Sequence, residues 1–154
     1  MWSADQYVDK LIEKGYKVAI CEQMEDPAKT KGIVKRGIVR IVTPGTVTED
    51  SMLEEGKNNF LCSVCFDSGS VGLCFSDIST GQMNVTKISG SNLEQRVCDE
   101  IGRFSPSEIL LSEDIKNHKT LGDYLENQLK IMVNVLDKGD FEPNSSQSLI
   151  CEHF

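Results

Sequence analysis

Phe60-Leu61-Cys62-Ser63-Val64-Cys65-Phe66-Asp67-Ser68-Gly69-Ser70-Val71-Gly72-Leu73-Cys74-Phe75-Ser76-Asp77-Ile78-Ser79-Thr80-Gly81-Gln82-Met83-Asn84-Val85-Thr86-Lys87-Ile88 is the stretch on which the fold turns. Phe60–Phe66 is an apolar strand-like run closed by Asp67-Ser68-Gly69-Ser70, and Val71–Ile78 is a second, closed by Ser79-Thr80-Gly81. Asp, Ser and Gly mark turns because they bond their own backbone or adopt positive φ without strain. Gln82–Ile88 then alternates Met83, Val85 and Lys87 against Asn84, Thr86 and Ile88, the period of a strand. Three strands joined by two short turns make an antiparallel meander.

Downstream of the meander the period lengthens. Ser91 and Glu94 have capping-box spacing, and Leu93, Val97, Cys98, Ile101 and Phe104 form a helical stripe to about 104. Pro106 separates it from Glu108-Ile109-Leu110-Leu111, which reads as a buried strand. A helix carrying Leu121, Tyr124, Leu125 and Leu129 follows, then a strand over Ile131–Leu136. The last helix is predicted to start near Asn144 or Ser145 and to run through Leu149 and Ile150. Helical crossovers of this length favour parallel pairing of the strands they join. The order βββαβαβα is that of a ribonuclease-H-like domain, an α/β fold with a mixed sheet flanked by helices, expected over 58–154.

Upstream lies a smaller pattern. Ser3 and Gln6 have capping-box spacing, Tyr7, Val8, Leu11 and Ile12 recur at helical intervals, and Gly15 is a natural stop, which predicts a helix over about 3–14. Lys17–Gln23 reads as a strand with Val18 and Ile20 on one face, broken by Glu25-Asp26-Pro27. Val34–Thr43 alternates Val34, Arg36, Ile38, Arg40 and Val42 against its neighbours and ends at Pro44-Gly45. One helix and two strands are too few for a core of their own, so 1–45 reads as an incomplete α/β piece, the end of a domain, with the acidic, turn-rich 46–57 as a linker.

Charge divides along the same boundary. Residues 1–45 carry eight Lys/Arg against six Asp/Glu, whereas 46–154 carry eight against eighteen. Lys29, Lys31, Lys35, Arg36 and Arg40 form a basic stretch with no acid between 28 and 42, which makes them the candidate contacts to a nucleic-acid backbone. The acidic remainder should repel such a backbone. A hydrophobic fraction of 39% is globular, no apolar run approaches the roughly 18 residues of a membrane span, and the N-terminus lacks a signal-peptide pattern. The expectation is a soluble cytoplasmic protein.

Catalytic constellations are not found in the sequence. Six cysteines at 21, 62, 65, 74, 98 and 151 invite a metal or redox reading, but on a strand Cys62 and Cys65 point to opposite faces, and His118 and His153 are the only histidines. No phosphate-binding Gly-x-x-x-x-Gly-Lys-Ser/Thr motif occurs. Asp67-Ser68-Gly69-Ser70 mimics an aspartic-protease tetrapeptide, but that site needs two carboxylates sharing a proton. A metal-dependent nuclease on the ribonuclease-H-like fold is the alternative reading. It needs carboxylates converging on paired metals, one of them mid-way along the first strand, yet Phe60–Phe66 contains none. Asp67, Asp77, Glu113 and Asp114 sit at strand ends, where turns use them. No catalytic, cofactor or metal residue is assigned.

Gly15-Tyr16-Lys17-Val18-Ala19-Ile20-Cys21-Glu22-Gln23, then Glu25-Asp26-Pro27, Lys31-Gly32, and Val39-Arg40-Ile41-Val42-Thr43-Pro44-Gly45-Thr46 resemble the end of the mismatch-binding domain of the MutS family of DNA mismatch repair. Asn58-Asn59-Phe60-Leu61, Asp77-Ile78-Ser79-Thr80-Gly81, Phe141-Glu142 and His153-Phe154 resemble landmarks of that family's connector domain, so the resemblance spans nearly the whole chain.

The resemblance implies a connector of ribonuclease-H-like fold without nuclease activity, coupling mismatch binding to lever and ATPase regions that lie outside this sequence. It implies mismatched double-stranded DNA, a MutL-type repair protein and a second MutS subunit as partners of the parent protein, association with the nucleoid, and ATP with Mg bound by a domain not represented here. The family's aromatic wedge, which bends duplex at a weakened step, would lie before residue 1, so Trp2 and Phe60 do not inherit it. By position, Gln147 and Ser148 are the candidate MutL-docking patch, where this sequence departs from the usual polar pair by carrying Leu149. Limited proteolysis is expected to cut within 1–45 well before 58–136, because the N-terminal piece has few strands to pair with; equal cleavage rates would contradict that reading.

Overall fold

The protein is seen in a computed structural model that describes residues 2–29, 32–129 and 131–153, without the side chains of residues 2–5 and 50. The N-terminal part comprises α1 (Trp2–Ile12), β1 (Val18–Gln23) and β2 (Arg36–Val42), followed by 3₁₀ turns at Pro44–Thr46 and Asp50–Met52. The C-terminal part comprises β3 (Phe60–Asp67), β4 (Ser70–Asp77), β5 (Gln82–Ser89), α2 (Leu93–Phe104), β6 (Glu108–Ser112), α3 (Lys119–Tyr124), β7 (Met132–Leu136) and α4 (Pro143–His153). Its five strands form one sheet in the order β5-β4-β3-β6-β7, with β3–β4 and β4–β5 antiparallel and β3–β6 and β6–β7 parallel. This is the α/β fold with a mixed, helix-flanked sheet that the order βββαβαβα predicts.

Alternation along the strands decides which residues form the core. Cys62 and Val64 pair across to Phe75 and Leu73, and on the other side to Ile109 and Leu111, so one face collects these side chains. Val97, Cys98 and Ile101 of α2 and Leu121 of α3 complete that cluster, together with Leu125 in a single π-helical turn that continues α3. Both helices lie on this face for a topological reason. The crossovers from β5 to β6 and from β6 to β7 step in the same direction across the sheet, and right-handed connections then put both on one side. Phe104 stacks on Phe75 at 4.0 Å between centroids and meets Phe60 edge-on at 5.3 Å, fastening the end of α2 to the sheet.

The turns follow their residue chemistry. Ser68 and Gly69 both have positive φ, 35° and 85°, the two left-handed residues of a tight hairpin. At the second hairpin Asp77, buried at the end of β4, accepts from Ser79 Oγ at 2.6 Å, Ser79 N–H at 3.0 Å, Thr80 N–H at 3.3 Å and Asn59 N–H at 3.2 Å. Burial pushes its carboxyl up, and these hydrogen bonds outweigh that effect, leaving it below the ordinary value. At the C-terminus of α1, Gly15 (φ +77°) stops the helix as predicted. Gly15 N–H donates to Ile12 C=O at 2.8 Å and Tyr16 N–H to Leu11 C=O at 3.0 Å, a Schellman motif.

Three local expectations change. The helix after the meander starts at Leu93, with Asn92 left-handed (φ 53°) and no side-chain cap, so the Ser91/Glu94 capping box does not form. Glu94 instead reaches His118 Nδ1 at 3.2 Å and Leu121 N–H at 3.3 Å, tying α2 to α3, while His118 stacks on Phe66 at 3.9 Å. The alternation of Val34–Thr43 is broken by a bulge. Ile20 pairs with Arg40 but Cys21 with Ile38, so Val39 is extra and Ile38 turns to the exposed side. The last helix begins at Pro143, whose missing N–H costs nothing at a helix start, and it buries no residue. The side chain of Ser3, of the other predicted capping box, lies outside the described residues. No described helix is long and apolar enough to cross a membrane.

A smaller cluster of Val8, Ile12, Val42 and Val47 holds the N-terminal part together, with Val18, Ile20, Met52 and Leu53 against it. Within the 46–57 stretch, read as a linker, Val47, Met52 and Leu53 therefore pack on this cluster, whereas 54–57 are exposed. The core assignment has a measurable consequence. Ile101→Ala, at a fully buried position, should lower unfolding free energy by about 2–5 kcal/mol, whereas Leu149→Ala on exposed α4 should stay within about 0.5 kcal/mol. Comparable losses in urea titrations would show that α4 is packed after all.

Candidate functional site

The two parts meet at a joint built from the short segment Thr43-Pro44-Gly45-Thr46. Proline starts the 3₁₀ turn, and the flanking threonines clamp it: Thr43 N–H donates to Thr46 Oγ1 at 3.0 Å, and the two hydroxyls lie 2.9 Å apart. The turn sits on the sheet face opposite α2 and α3, which those crossovers leave open. There Leu61 and Glu108 project side by side from β3 and β6, and Asn134 projects from β7 level with Leu110, two residues further along.

Glu108 is the centre of the joint. The residue is 2% exposed. Gly45 N–H donates to Oε2 at 2.9 Å, and the Asn134 amide donates to Oε1 in a short hydrogen bond. A buried carboxylate stays tolerable when both oxygens accept hydrogen bonds. Beside it the Asn59 amide donates to Pro44 C=O at 2.8 Å, and Ser107 Oγ donates to Asn59 Oδ1. Gly45 is required for space rather than for φ: a Cβ there would stand 2.8 Å from Glu108 Cβ and 3.0 Å from Leu61 Cδ1. A cleft of about 710 Å³ opens next to the joint, lined by Asp9, Ile12, Pro44, Asn59, Ser107 and Ile131 among others.

The candidate DNA-backbone residues separate. Arg40, on β2, is engaged by Glu49: its Nη1 contacts Oε1, and its Nη2 donates to Oε2 at 3.2 Å and to Thr48 Oγ1 at 3.4 Å. Lys29 lies 3.8 Å from Asp26, and Lys31 lies outside the described residues. Lys35 and Arg36 are exposed at the entry to β2 with no ion pair among the described residues. Gln147 and Ser148 are exposed on α4, where Ser148 Oγ donates to Asn144 C=O at 3.1 Å.

Among the described residues no group of three or more His, Cys, Asp or Glu stands close enough to hold a metal ion. Cys62 is buried on the core face and Cys65 lies on the other, as strand alternation requires. Burial pushes the Cys62 thiol far up and the Cys98 thiol to about 11, so neither is a ready nucleophile. Sequence reasoning missed Glu108, Asn59 and Asn134. The available signal was a glutamate heading an otherwise apolar strand.

Two family models divide the chain just beyond this turn: MutS domain I matches residues 2–51 and MutS domain II matches 59–154. The chain belongs to the MutS family. It is 42% identical over 152 residues to the DNA mismatch repair protein MutS of Ruminiclostridium cellulolyticum, covering 99% of this chain and 17% of that protein. It is 43% identical over 152 residues to that of Acetivibrio thermocellus (99% and 18%) and 52% identical over 115 residues to that of Clostridium botulinum strain Langeland (74% and 12%). The chain thus spans under one fifth of the length of these relatives and carries parts matched by MutS domains I and II. The joint is where the domain I part bears on the domain II sheet.

Arg40 holds the Glu49 carboxyl below its ordinary value through the hydrogen-bonded pair. A carboxyl with a lowered folded pKa contributes stability above its unfolded value and loses that contribution as pH falls through the folded one. Arg40→Met should therefore move the Glu49 titration, followed by side-chain carbonyl NMR, up toward the ordinary glutamate range. An unmoved titration would show that the pair does not persist in solution.

Proposed function

We propose that this chain is a non-catalytic coupling and docking module of a mismatch-recognition protein. The single observation behind this is the joint: a MutS domain I segment is seated on the domain II sheet through the buried Glu108 carboxylate rather than merely tethered to it. A displacement of the domain I part on DNA would be passed to domain II through that contact, and from there to the lever and ATPase regions of the whole protein. ATP and Mg belong, in this reading, to those other regions. The module works in the cytoplasm, at the nucleoid.

The domain boundaries follow the same reading: 1–45 is the C-terminal part of the mismatch-binding domain, 46–57 the connecting segment and 58–154 the connector. The exposed face of α4 around Gln147 and Ser148 is the surface offered to a MutL-type protein. Lys29, Lys31, Lys35, Arg36 and Arg40 remain the candidate contacts to the DNA backbone; of those described, Lys35 and Arg36 are the most available, since Arg40 is engaged by Glu49. Of the acids weighed for a nuclease, Asp77 builds a hairpin instead, and the buried Glu108 serves the joint.

Gel-shift titrations separate these readings. The chain should bind duplex weakly, with affinity falling steeply between about 50 and 200 mM salt, and equally for matched and mismatched DNA. A mismatch preference would overturn the assignment of wedge recognition to other parts of the protein. Cleavage of DNA in Mg²⁺ or Mn²⁺ would favour the nuclease alternative. For docking, a purified MutL-type protein should bind the wild-type chain and bind Gln147→Lys/Ser148→Lys at least about tenfold more weakly, as when charges are misplaced in an interface; equal binding would remove α4 as the contact.

A further inference from the structure

We infer that Glu108 is the positioning residue that sets the angle between the domain I part and the domain II sheet, acting as a latch with a closed and an open position. The inference deepens the coupling reading and rests on it only for its biological use. The geometry itself stands apart from DNA or partner binding.

Among the described residues the two sheets share no strand pair, and the segment joining the parts is made of turns. Among the described elements of the N-terminal part, the Pro44–Thr46 turn makes the extensive contact with β3 and β6. Orientation is therefore carried by what the turn touches. Asn134, from β7, holds one oxygen of Glu108 independently of the N-terminal part, so the other oxygen is already aimed when Gly45 arrives. The absence of a Cβ lets the turn seat flush against Glu108 and Leu61, which leaves little play while the bond is made.

Partial displacement is the disfavoured arrangement. A turn moved by an ångström or two would leave a buried carboxylate oxygen with neither protein nor water as partner. The joint is closed, or it is displaced far enough for water to enter. The adjoining cleft, which shares Pro44, Asn59 and Ser107 with the joint, provides the room. Discreteness of this kind lets a small bias on one part produce a defined rotation of the other.

Residual dipolar couplings and amide exchange on the full chain test this. In the wild type one alignment tensor should describe amides of β1–β2 and of β3–β7. Glu108→Leu keeps much of the bulk and removes the acceptor of the Gly45 N–H, and Gly45→Ala displaces the turn from the other side while leaving the Glu108–Asn134 pair intact. In both variants the backbone N–H at position 45 should exchange about tenfold faster, the factor worth one hydrogen bond. The two parts should then require separate tensors, with protection at Val64 and Leu73 unchanged. A single retained tensor in either variant would overturn the latch, and so would parallel loss of protection in the sheet or failure of both variants to fold, each marking Glu108 as merely structural. Failure of a purified MutL-type protein to bind the wild-type chain, with separate tensors in both variants, would instead count against the docking reading and leave the latch standing.

Discussion

The Glu108 carboxylate has almost no contact with water, and the arrangement around it follows from the need to give both oxygens a donor. One donor comes from the last strand of its own sheet and the other from the backbone of a different domain. A side-chain donor would have served less well, since a backbone N–H on a turn clamped by two threonines has little freedom to leave without the whole turn moving. The hydrogen bond thus joins the sheet to the backbone of the turn rather than to a flexible side chain.

The position of that joint is a consequence of topology. Two crossovers stepping the same way cover one face of the sheet with α2 and α3 and leave the other to be used. On the covered face, residues such as Val64, Leu73 and Ile109 are fully buried and make the core. On the open face, Ser63, Gly72 and Cys74 are small and half-buried, and the N-terminal turn occupies the end nearest Glu108 and Asn134. One sheet therefore supplies both a core and a bearing surface, and neither use calls for reactive groups.

The acids illustrate how the same scaffold can be diverted from chemistry. Asp77 sits at a strand end with four donors around one carboxylate, and Glu94 spans from α2 to α3. Burial pushes the Glu94 carboxyl up, but Thr120, His118 and the Leu121 N–H outweigh it and hold it below the ordinary value. Carboxylates committed in this way are stabilised as anions by the fold.

The strand and helix order, the meander, the stop at Gly15 and the turn role of Asp77 were determined by the sequence itself, because they follow from local periodicity and from residues with strong backbone preferences. Family membership was legible too, in ordered motifs such as Val42-Thr43-Pro44-Gly45-Thr46. The bulge at Val39, the diversion of Glu94 from a cap to His118, and the engagement of Arg40 by Glu49 were decided by tertiary structure, since each depends on a partner that local pattern does not name. So was the joint. Gly45 and Glu108 are 63 positions apart, and only strand pairing in three dimensions brings that N–H to that carboxylate.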